Sequence, residues 1–600
     1  MEKSLYESLK KVLKQYRHRF FLGFLMLLVS NFLLIFNPLV FRQAVMAVDP
    51  NSPVEGGMLH DFFWWLWGSQ TGSVWVWAPT LFVIAAISAY LKYQMRVTFI
   101  TVSRDVEVEV RSKLFSRIQN QSMAFFDNHG IGELLSRLTN DVSAYRDVLG
   151  PGIMYPLFFL TLVLPGLAAL FFISAQLAAI ATIPMIIIPI VNFAIRGRLY
   201  VLSKKVQVSL ADMSNMVQEH YSSIRTIKSY VIENTLFKKF TDLSRTFLQL
   251  NLQLATVQGS LFPFFTFLTK VITVILVMFS GFVIYKGWGE LSVADFVSFM
   301  WIQSYIFFPV LMLGWLIPVF ERGRAAYDRL LEIYEEPIEV MNRIASELRI
   351  PAGSGLVFRD LTFTYPQQEA PALSHFSLEI EGGEFVGITG PVGAGKSTLF
   401  KLLNREYEIP EGMIEIGGKD IHQYPLSAFH MEMVTVEQVP FLFSKSIEEN
   451  VKFGRREATK EQIEEVARFA DFHETVLDFP EQYHTLVGER GVTLSGGQKQ
   501  RLAMARAFLV DRSILLLDDI FSAVDSDTES RIFQSMKRHF KGKTVLLITH
   551  RVSILEQMDR VIYISEGHVA EDGTPKELME IGGQYAALVE LQGMDRNEKN

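Results

Sequence analysis

Long apolar runs without charged residues dominate the first half of the chain. No charge occurs from Phe20 to Phe41, and the stretch Val148–Ile195 is uncharged over about twice that length. A helix needs about 20 apolar residues to cross the hydrocarbon core of a bilayer, so Val148–Ile195 predicts two spans with a tight turn near Ser174–Gln176. Six spans are predicted in all, within these stretches: Phe20–Phe41, the later part of Phe62–Leu91, Val148–Ile195 (two spans), Leu261–Tyr285 and Phe296–Phe320.

Lysine and arginine are concentrated in the N-terminal stretch and in two long connections, Lys92–Arg146 and Arg196–Arg245. Positively charged loops stay in the cytoplasm, so these segments and, with an even number of spans, both termini are predicted to be cytoplasmic. Apolar residues recur at helical spacing in both connections, which predicts helices reaching roughly 35 Å beyond the membrane. The basic N-terminal stretch lacks a short apolar core with a cleavage site, and we interpret it as retained.

Composition narrows the class of protein further. Apolar residues make up 49% of the 600 residues, and the mean hydropathy is +0.22, which few soluble proteins reach. The length predicts at least two domains. A net charge of −7 gives no reason to expect nucleic acid as a partner. The absence of cysteine excludes disulfides, thiol catalysis and thiolate metal sites.

From Leu356 onward, short β-rich runs alternate with helical patterns, as in an α/β nucleotide-binding domain. Its strongest motif is a phosphate loop, G-x-x-x-x-G-K-[ST], between an apolar strand and a helix. The glycines and the helix N-terminus direct N–H groups toward phosphate oxygens. We expect Lys396 to reach the β- and γ-phosphates of ATP and the Ser397 hydroxyl to bind Mg²⁺. The predicted phosphate-loop ligands are Gly390, Gly393, Gly395, Lys396, Ser397 and Thr398.

Two further motifs accompany the phosphate loop. An apolar strand ends in two carboxylates, of which Asp518 is predicted to complete the Mg²⁺ shell and Asp519 to act as general base for the attacking water. The sequence LSGGQ at Leu494–Gln498 precedes a helix and predicts a second anion-binding helix start. A subunit needs only one phosphate loop, so we expect this second start to clamp a nucleotide held by another subunit, through these residues: Ser495, Gly496, Gly497 and Gln498.

With these motifs, the chain resembles the half-transporters of the ATP-binding-cassette (ABC) exporter family over nearly its whole length, and LSGGQ is that family's signature motif. The resemblance assigns further residues to the nucleotide site. Tyr365 would stack on adenine, and His550 would contact the γ-phosphate. Gln438 would join Ser397 and Asp518 at Mg²⁺ and sense the attacking water. The segment Ser522–Asp525 resembles the family's D-loop, and Asp525 would contact nucleotide from there. The predicted catalytic residues are Asp519, Gln438 and His550.

The resemblance implies a membrane all-α domain of six transmembrane helices with long cytoplasmic extensions, fused to an α/β P-loop ATP-binding cassette. The expected boundaries are 1–334 for the transmembrane domain, 335–355 for the linker and 356–600 for the nucleotide-binding domain. It also implies short transverse coupling helices near Gln119–Asn128 and Ala211–Ser223. Two cassettes would sandwich two ATP molecules, each between the phosphate loop of one subunit and the signature of the other, and the closed state would turn the membrane cavity outward.

One departure from the family pattern concerns the general base, which is normally glutamate and is Asp519 here. A chain with one cassette and six spans is expected to dimerise. Asp519 favours a heterodimer, in which this subunit supplies an impaired, degenerate nucleotide site and a different half-transporter carries the glutamate. A homodimeric multidrug or lipid exporter is the alternative, and an ATP-gated channel or regulatory membrane protein is the alternative of another class.

The transported substrate is not specified by any motif. A membrane domain rich in aromatic residues and methionine suits amphipathic drugs, lipids and hydrophobic peptides equally. Lys270 lies inside the predicted fifth span, where a charge near the bilayer centre costs at least ~2.5–3.5 kcal/mol. Its ammonium group either snorkels to the cytoplasmic interface or lines the substrate cavity. The expected location is the bacterial inner (cytoplasmic) membrane, as a multi-pass protein in contact with the lipid bilayer.

Overall fold

The computed structural model describes residues 4–46, 74–286, 291–340 and 348–597. The chain divides into two compact units. The first comprises Met1–Gln119 and Gly132–Glu336, and the second comprises Asn120–Ile131 and Pro337–Asn600. The short segment Asn120–Ile131 therefore belongs to the second unit, although the chain on both sides of it belongs to the first.

The described part of the first unit is helical. Six of its helices are long and apolar enough to cross a membrane, which confirms the predicted number of spans. The helices from the N-terminus to the end of the first unit, including the short helix of segment Asn120–Ile131, are α1 Leu5–Gln15, α2 Arg17–Met46, α3 Val74–Gln119, α4 Met123–Asn128, α5 Ile131–Ser136, α6 Val142–Leu149, α7 Pro151–Ile173, α8 Ala175–Ser222, α9 Ile224–Tyr230, α10 Glu233–Lys286 and α11 Val293–Glu335, with a π-helical turn at Arg137–Asp141.

The turn between the third and fourth spans lies where the sequence predicts it. Helix α7 ends at Ile173, and Ser174 adopts an extended backbone conformation with φ −159° and ψ 111°. The Ser174 hydroxyl accepts a hydrogen bond of 3.4 Å from the backbone N–H of Leu177 and so caps α8. A single residue, Ser174, therefore forms the turn between the third and fourth spans and caps the second of these helices.

The long helices α3, α8 and α10 contain 46, 48 and 54 residues. At 1.5 Å per residue, each is roughly 70–80 Å long, more than twice the hydrocarbon thickness of about 30 Å. The predicted helical extensions are therefore continuous with the spans. Helix α11 ends at Glu335, and residues 341–347 of the expected linker lie outside the described residues.

The expected positions of the two coupling helices differ in outcome. A short helix, α4, lies inside the predicted range Gln119–Asn128. The prediction for Ala211–Ser223 is wrong, because α8 continues unbroken to Ser222 and the short helix that follows is α9. No glycine or proline interrupts α8 after residue 197, so the helix continues to Ser222. Helix α9 ends at Tyr230, and the C-cap residue Val231 has φ 53°.

The second unit contains two sheets. An antiparallel sheet has the strand order β2-β1-β4-β5, and a six-stranded sheet has the order β10-β9-β3-β8-β7-β6, in which all neighbours are parallel except β10 and β9. The strands are β1 Leu356–Phe363, β2 Leu373–Ile380, β3 Phe385–Thr389, β4 Ile414–Ile416, β5 Lys419–Asp420, β6 Met433–Val436, β7 Ile514–Asp518, β8 Thr544–Ile548, β9 Arg560–Ser565 and β10 His568–Gly573.

Helices cover the larger sheet on both faces. The apolar strand β7 shows this, because Leu515 and Leu517 pack into one buried cluster while Ile514 and Leu516 pack into the other. Burial on both faces explains its unbroken run of leucines. The helices of this unit are α12 Lys396–Leu403, α13 Leu426–Glu432, α14 Ile447–Val451, α15 Lys460–Phe469, α16 His473–Leu477, α17 Gly496–Val510, α18 Ser526–His539, α19 Val552–Leu555, α20 Pro575–Ile581 and α21 Gln584–Asn597.

Candidate functional site

The carboxyl ends of four parallel strands meet at one edge of the larger sheet. Strands β3, β6, β7 and β8 end at Thr389, Val436, Asp518 and Ile548. Ligands of open α/β sheets bind at this edge. Each strand leads directly into one of the motifs that the sequence singled out, so the fold itself assembles the phosphate loop, Gln438, the paired aspartates and His550.

The phosphate loop needs glycine for steric reasons at two positions. Gly390 has φ 139°, and a Cβ atom there would lie 1.9 Å from the carbonyl oxygen of Ile564. Gly395 has φ 96°, and its Cβ would lie 2.4 Å from the carbonyl oxygen of Ala372. Gly393 also has a positive φ, but a Cβ there would meet nothing within 4 Å. The first two glycines are therefore required by close backbone packing, whereas Gly393 lies on the open side of the loop.

Lys396 begins α12 and turns back over the loop. Its ammonium group donates hydrogen bonds of 2.8 and 2.7 Å to the carbonyl oxygens of Gly390 and Pro391, and the residue is 8% exposed. Burial lowers the pKa of Lys396, while Asp518 and Asp519 act in the opposite direction. A polyphosphate would give this buried ammonium a charged acceptor in place of neutral carbonyl oxygens.

Ser397 and Asp518 lie side by side, although 121 positions separate them in sequence. The Ser397 hydroxyl donates a hydrogen bond to the Asp518 carboxylate, and burial raises the pKa of Asp518 above its usual value. A hydroxyl and a carboxylate are both hard oxygen ligands of the kind that Mg²⁺ prefers. The donor set that the sequence predicts for Mg²⁺ is therefore chemically suited to that ion.

Asp519 directly faces Gln438. The Gln438 side-chain amide donates a hydrogen bond of 3.0 Å to Asp519 Oδ2, and Asp519 has the left-handed backbone conformation with φ 44°. Burial raises the pKa of Asp519, and the bond from Gln438 and the nearby His550 oppose this rise. Burial and the charge of Lys396 lower the pKa of His550. Strand ends thus bring the three residues of the predicted catalytic set together.

Tyr365 closes another side of the site. Its hydroxyl shares a hydrogen bond of 3.1 Å with the Thr398 hydroxyl. Its ring contacts the rings of Phe363 and Tyr407 edge-on at centroid distances of 5.1 and 5.3 Å, and Lys401 Nζ lies 5.3 Å from its centroid. The tyrosine is therefore fixed beside the phosphate loop, where an aromatic ring could support a nucleotide base.

The signature motif forms the start of α17. Ser495 and Gln498 bind each other in a capping box, with bonds of 3.3 and 2.9 Å. Gly497 lies against the D-loop, because a Cβ there would be 2.6 Å from the carbonyl oxygen of Ala523. Ser495 and Gly496 are exposed. Asp525 caps the next helix, α18, by accepting a 2.9 Å bond from the Thr528 N–H. The N-terminus of the signature helix α17 is therefore exposed to solvent.

Gln500 is a central residue that the sequence analysis missed. It is 4% exposed, and its side chain donates a 2.7 Å bond to the Ser522 hydroxyl and accepts a 3.1 Å bond from the Ala523 N–H. Weaker bonds of 3.4 and 3.5 Å reach the carbonyl oxygens of Gln438 and Asp519. One side chain therefore connects the signature helix with three other motifs.

A second residue that the sequence analysis missed lies in the C-terminal helix α21. The Gln592 side chain donates a 2.5 Å bond to the carbonyl oxygen of His550 and accepts a 3.2 Å bond from the N–H of Val552. Both bonds hold the segment around His550, the predicted γ-phosphate contact, which we call the switch histidine; Val552 begins α19 directly after this segment. No local motif identifies Gln592 or Gln500, because a single glutamine within a helix has no distinguishing pattern.

The segment Asn120–Ile131 packs against Tyr407, whose ring contacts that of Tyr365. Tyr407 donates a 2.6 Å hydrogen bond to Asp127 Oδ2, and burial, followed by Asp127, raises the pKa of Tyr407. The Met123 N–H donates a 3.1 Å bond to the carbonyl oxygen of Glu406. Ala124 is 4% exposed within the buried cluster to which both sheets contribute. This contact joins helix α4 to the environment of the nucleotide site.

Comparison with known proteins agrees with this architecture. Residues 20–310 match the ABC transporter transmembrane region, and residues 373–522 match the ABC transporter domain. The chain is 33% identical over 488 residues to the uncharacterized ABC transporter ATP-binding protein YknU of Bacillus subtilis, covering 81% of this chain and 83% of that protein. It is 32% identical over 533 residues to the multidrug resistance-like ATP-binding protein MdlA of Escherichia coli, covering 88% of each.

A solved structure extends the comparison to the fold. The structure of a bacterial Atm1-family ABC exporter with ATP bound has a TM-score of 0.74 to this chain at 24% identity, covering 96% of this chain and 98% of that one. The chain belongs to the ABC transporter family. It combines a multi-pass membrane domain with an ABC ATPase domain, whose hydrolysis of ATP is coupled to transport.

Proposed function

We propose that this chain exports a hydrophobic or amphipathic substrate across the bacterial inner membrane as one subunit of a dimer, with both termini in the cytoplasm. The observation that best supports a dimer is that the signature motif is exposed. Ser495 and Gly496 open a helix N-terminus to solvent, and Ser495 is bonded to Gln498 of the same motif. A second subunit would bring its own bound nucleotide to this surface. The multidrug resistance-like name of the relative MdlA supports the substrate class.

The proposed residue roles follow from the assembled site. Lys396 would bind the β- and γ-phosphates of ATP, and Tyr365 would support the adenine base. Ser397 and Asp518 would hold Mg²⁺, which would neutralise charge on the phosphates. Gln438 and His550 would orient the attacking water and the γ-phosphate around Asp519. The other phosphate-loop positions, the signature and Asp525 would bind ATP through backbone N–H groups and across the dimer interface.

We further propose that the partner is a different half-transporter and that this subunit's own site is impaired at the end of strand β7, where Asp518 is the aspartate of the Walker B motif and Asp519 follows it. Aspartate is one methylene shorter than glutamate, so its carboxylate lies farther from a water at the γ-phosphate. The bond from Gln438 to Asp519 holds the carboxylate near the strand end. Misplacement of a reacting group by ~1 Å can cost ~10²-fold in rate. A heterodimer carries this defect once, whereas a homodimer carries it twice.

Purification of the tagged chain from its native host tests the assignment. The heterodimer predicts a second half-transporter in 1:1 ratio, with glutamate after its Walker B aspartate, and ATP-dependent substrate uptake by inside-out vesicles containing both chains. A stable dimer of this chain alone, with brisk hydrolysis that substrate stimulates, would establish the homodimer instead. ATPase activity with ATP-gated ion conductance and no uptake would favour a channel.

Lys270 is the proposed determinant of substrate charge. It is exposed on α10, whereas Phe265, Ile272 and Leu276 of the same helix are buried among the neighbouring helices. We propose that this exposed face lines the cavity of the assembled dimer. A lysine there would favour anionic or amphipathic substrates, because ionisable residues at this depth serve substrate pathways rather than lipid contacts.

A further inference from the structure

Helix α1 and the start of α2 share one exposed side, here called the flank. Val12 on α1 is buried against the protein. On a helical wheel, Tyr6 and Leu13 lie about a quarter turn away from Val12, and they are 74% and 40% exposed. Lys10 lies next to them on the same flank and is also exposed. Apolar and basic side chains therefore share one open surface.

The opposite flank of α1 is occupied. Gln15 donates a hydrogen bond to the carboxylate of Glu109 on α3, and Lys11 lies near the same carboxylate. Glu109 belongs to the part of α3 beyond the predicted second span, so this flank of α1 faces the cytoplasmic extension. The flank with Tyr6 and Leu13 consequently faces away from Glu109 and from that extension.

Helix α2, the first of the six candidate spans, has one exposed apolar face. Phe21, Leu25, Leu28 and Phe32 repeat at helical spacing along one exposed face, with Phe21 68% and Phe32 61% exposed. Arg17 precedes this stripe by one turn on the same face and is exposed. With the N-terminus in the cytoplasm, as proposed above, and lipid against this stripe, the Arg17 guanidinium would lie at the depth of phospholipid headgroups.

We propose that this flank binds anionic phospholipids of the cytoplasmic leaflet. Lys10, Lys14 and Arg17 would bind headgroup phosphates, while Tyr6 and Leu13 would insert at the acyl boundary. These three basic side chains form no ion pair with the described residues, in contrast to Arg19, which is bound to Asp105 at 2.7 Å. Their charges are therefore available to lipid.

The composition of the flank fits this ligand. Stable interfacial binding takes two signals, an apolar anchor and a basic cluster, and both are present here. The single acidic residue of α1, Glu7, lies about 20° from Lys14 on the wheel and about 100° or more from Tyr6 and Leu13, so it offsets part of the charge of Lys14 and leaves Lys10 and Arg17 as the main basic groups beside the apolar pair. Each Lys or Arg near an anionic leaflet strengthens association roughly fivefold. The inference goes beyond export, and it rests on the cytoplasmic orientation of the N-terminus proposed above.

The absence of cysteine allows a direct test. A Leu13→Cys variant, labelled with an environment-sensitive fluorophore, is placed with its partner subunit in phosphatidylcholine nanodiscs. Spin-labelled phosphatidylglycerol or spin-labelled phosphatidylcholine is then added at equal mole fraction. We expect several-fold stronger quenching by the anionic lipid. A label at Ile581, exposed in the second unit, should be quenched by neither lipid.

The charge requirement is tested in the same nanodiscs. The triple variant Lys10→Gln, Lys14→Gln, Arg17→Gln should lose the preference for the anionic lipid, whereas the matched exposed triple Lys419→Gln, Arg456→Gln, Lys576→Gln should retain it.

If the variant with Lys10, Lys14 and Arg17 all replaced by Gln does not assemble, the charge requirement is tested by the salt dependence of quenching in the labelled Leu13→Cys protein. Raising ionic strength to ~1 M shortens the Debye length to ~3 Å and should abolish the preference. Equal quenching by both lipids at low salt, or no quenching at Leu13, would overturn the proposal.

Discussion

Replacing Tyr407 by phenylalanine should separate ATP hydrolysis from transport. The change removes one hydroxyl, which donates a 2.6 Å bond to Asp127 on helix α4. The ring contacts with Phe363 and Tyr365 are retained. Helix α4 lies in the chain between the end of α3 and the start of α5, so we expect movements of the ATP-binding unit to act on the membrane helices through this segment.

The magnitude follows from the bond and its surroundings. Hydrogen bonds to charged groups contribute about 1.5–3 kcal/mol, and Asp127 is exposed, so solvent screening favours the lower end. A loss of about 1.5 kcal/mol corresponds to roughly tenfold in the population of the docked arrangement. The bond between Met123 and Glu406 and the burial of Ala124 remain, which limits the effect to this range.

The assay compares ATPase activity with substrate uptake in the same proteoliposomes. Hydrolysis should stay within about twofold of the wild-type rate, while uptake per ATP hydrolysed falls by up to about tenfold. Tyr424→Phe is the matched control, because its hydroxyl donates a 2.9 Å bond to the carbonyl oxygen of Ile416, away from α4. The control should lower the melting temperature without changing the coupling ratio. If hydrolysis and uptake of Tyr407→Phe fall in proportion, the contact merely stabilises the fold.

Four further results are expected. Lys396→Ala should abolish ATP occlusion by this chain's own phosphate loop, and unchanged ATP affinity would contradict the phosphate-loop assignment. Asp519→Asn should leave much of the ATPase activity of a heterodimer, whereas a homodimer would lose nearly all of it, ~10²-fold or more. Lys270→Met should shift preference across a panel of substrates of varied charge while basal ATPase persists, and an unaltered preference would remove the cavity role. Gln592→Leu should lower kcat with little change in KM for ATP, because its two bonds hold the switch-histidine loop and not the nucleotide; a purely structural role would lower only thermal stability.

The predictable features are those with a local pattern. The six spans follow from uncharged apolar length, and the phosphate loop follows from a spacing that only a strand–turn–helix accommodates. The contact between Tyr407 and Asp127 has no such pattern, because 280 positions separate the two residues and both are ordinary in composition. Gln500 and Gln592 were missed for the same reason.

The position of the second coupling helix shows a different limit of sequence reasoning. Residues 211–222 form a good amphipathic helix wherever it is placed, so periodicity could not show whether they belong to a separate short helix or to the end of α8. The decisive break at Ser223 is a matter of one residue's backbone conformation. Such boundaries depend on tertiary packing more than on propensity.

The bonds of Gln500 have a kinetic consequence for any dimer of this chain. The same buried amide holds the D-loop of its own subunit and sits one turn from the surface that would cover the opposite subunit's nucleotide. Occupancy of one composite site would thus be transmitted to the other through a rigid connection, and the two ATP molecules would not turn over as independent events. In an asymmetric pair, the slower site would retain its nucleotide for longer than the faster site. This retention time would set how many cycles the faster site completes before the subunits separate.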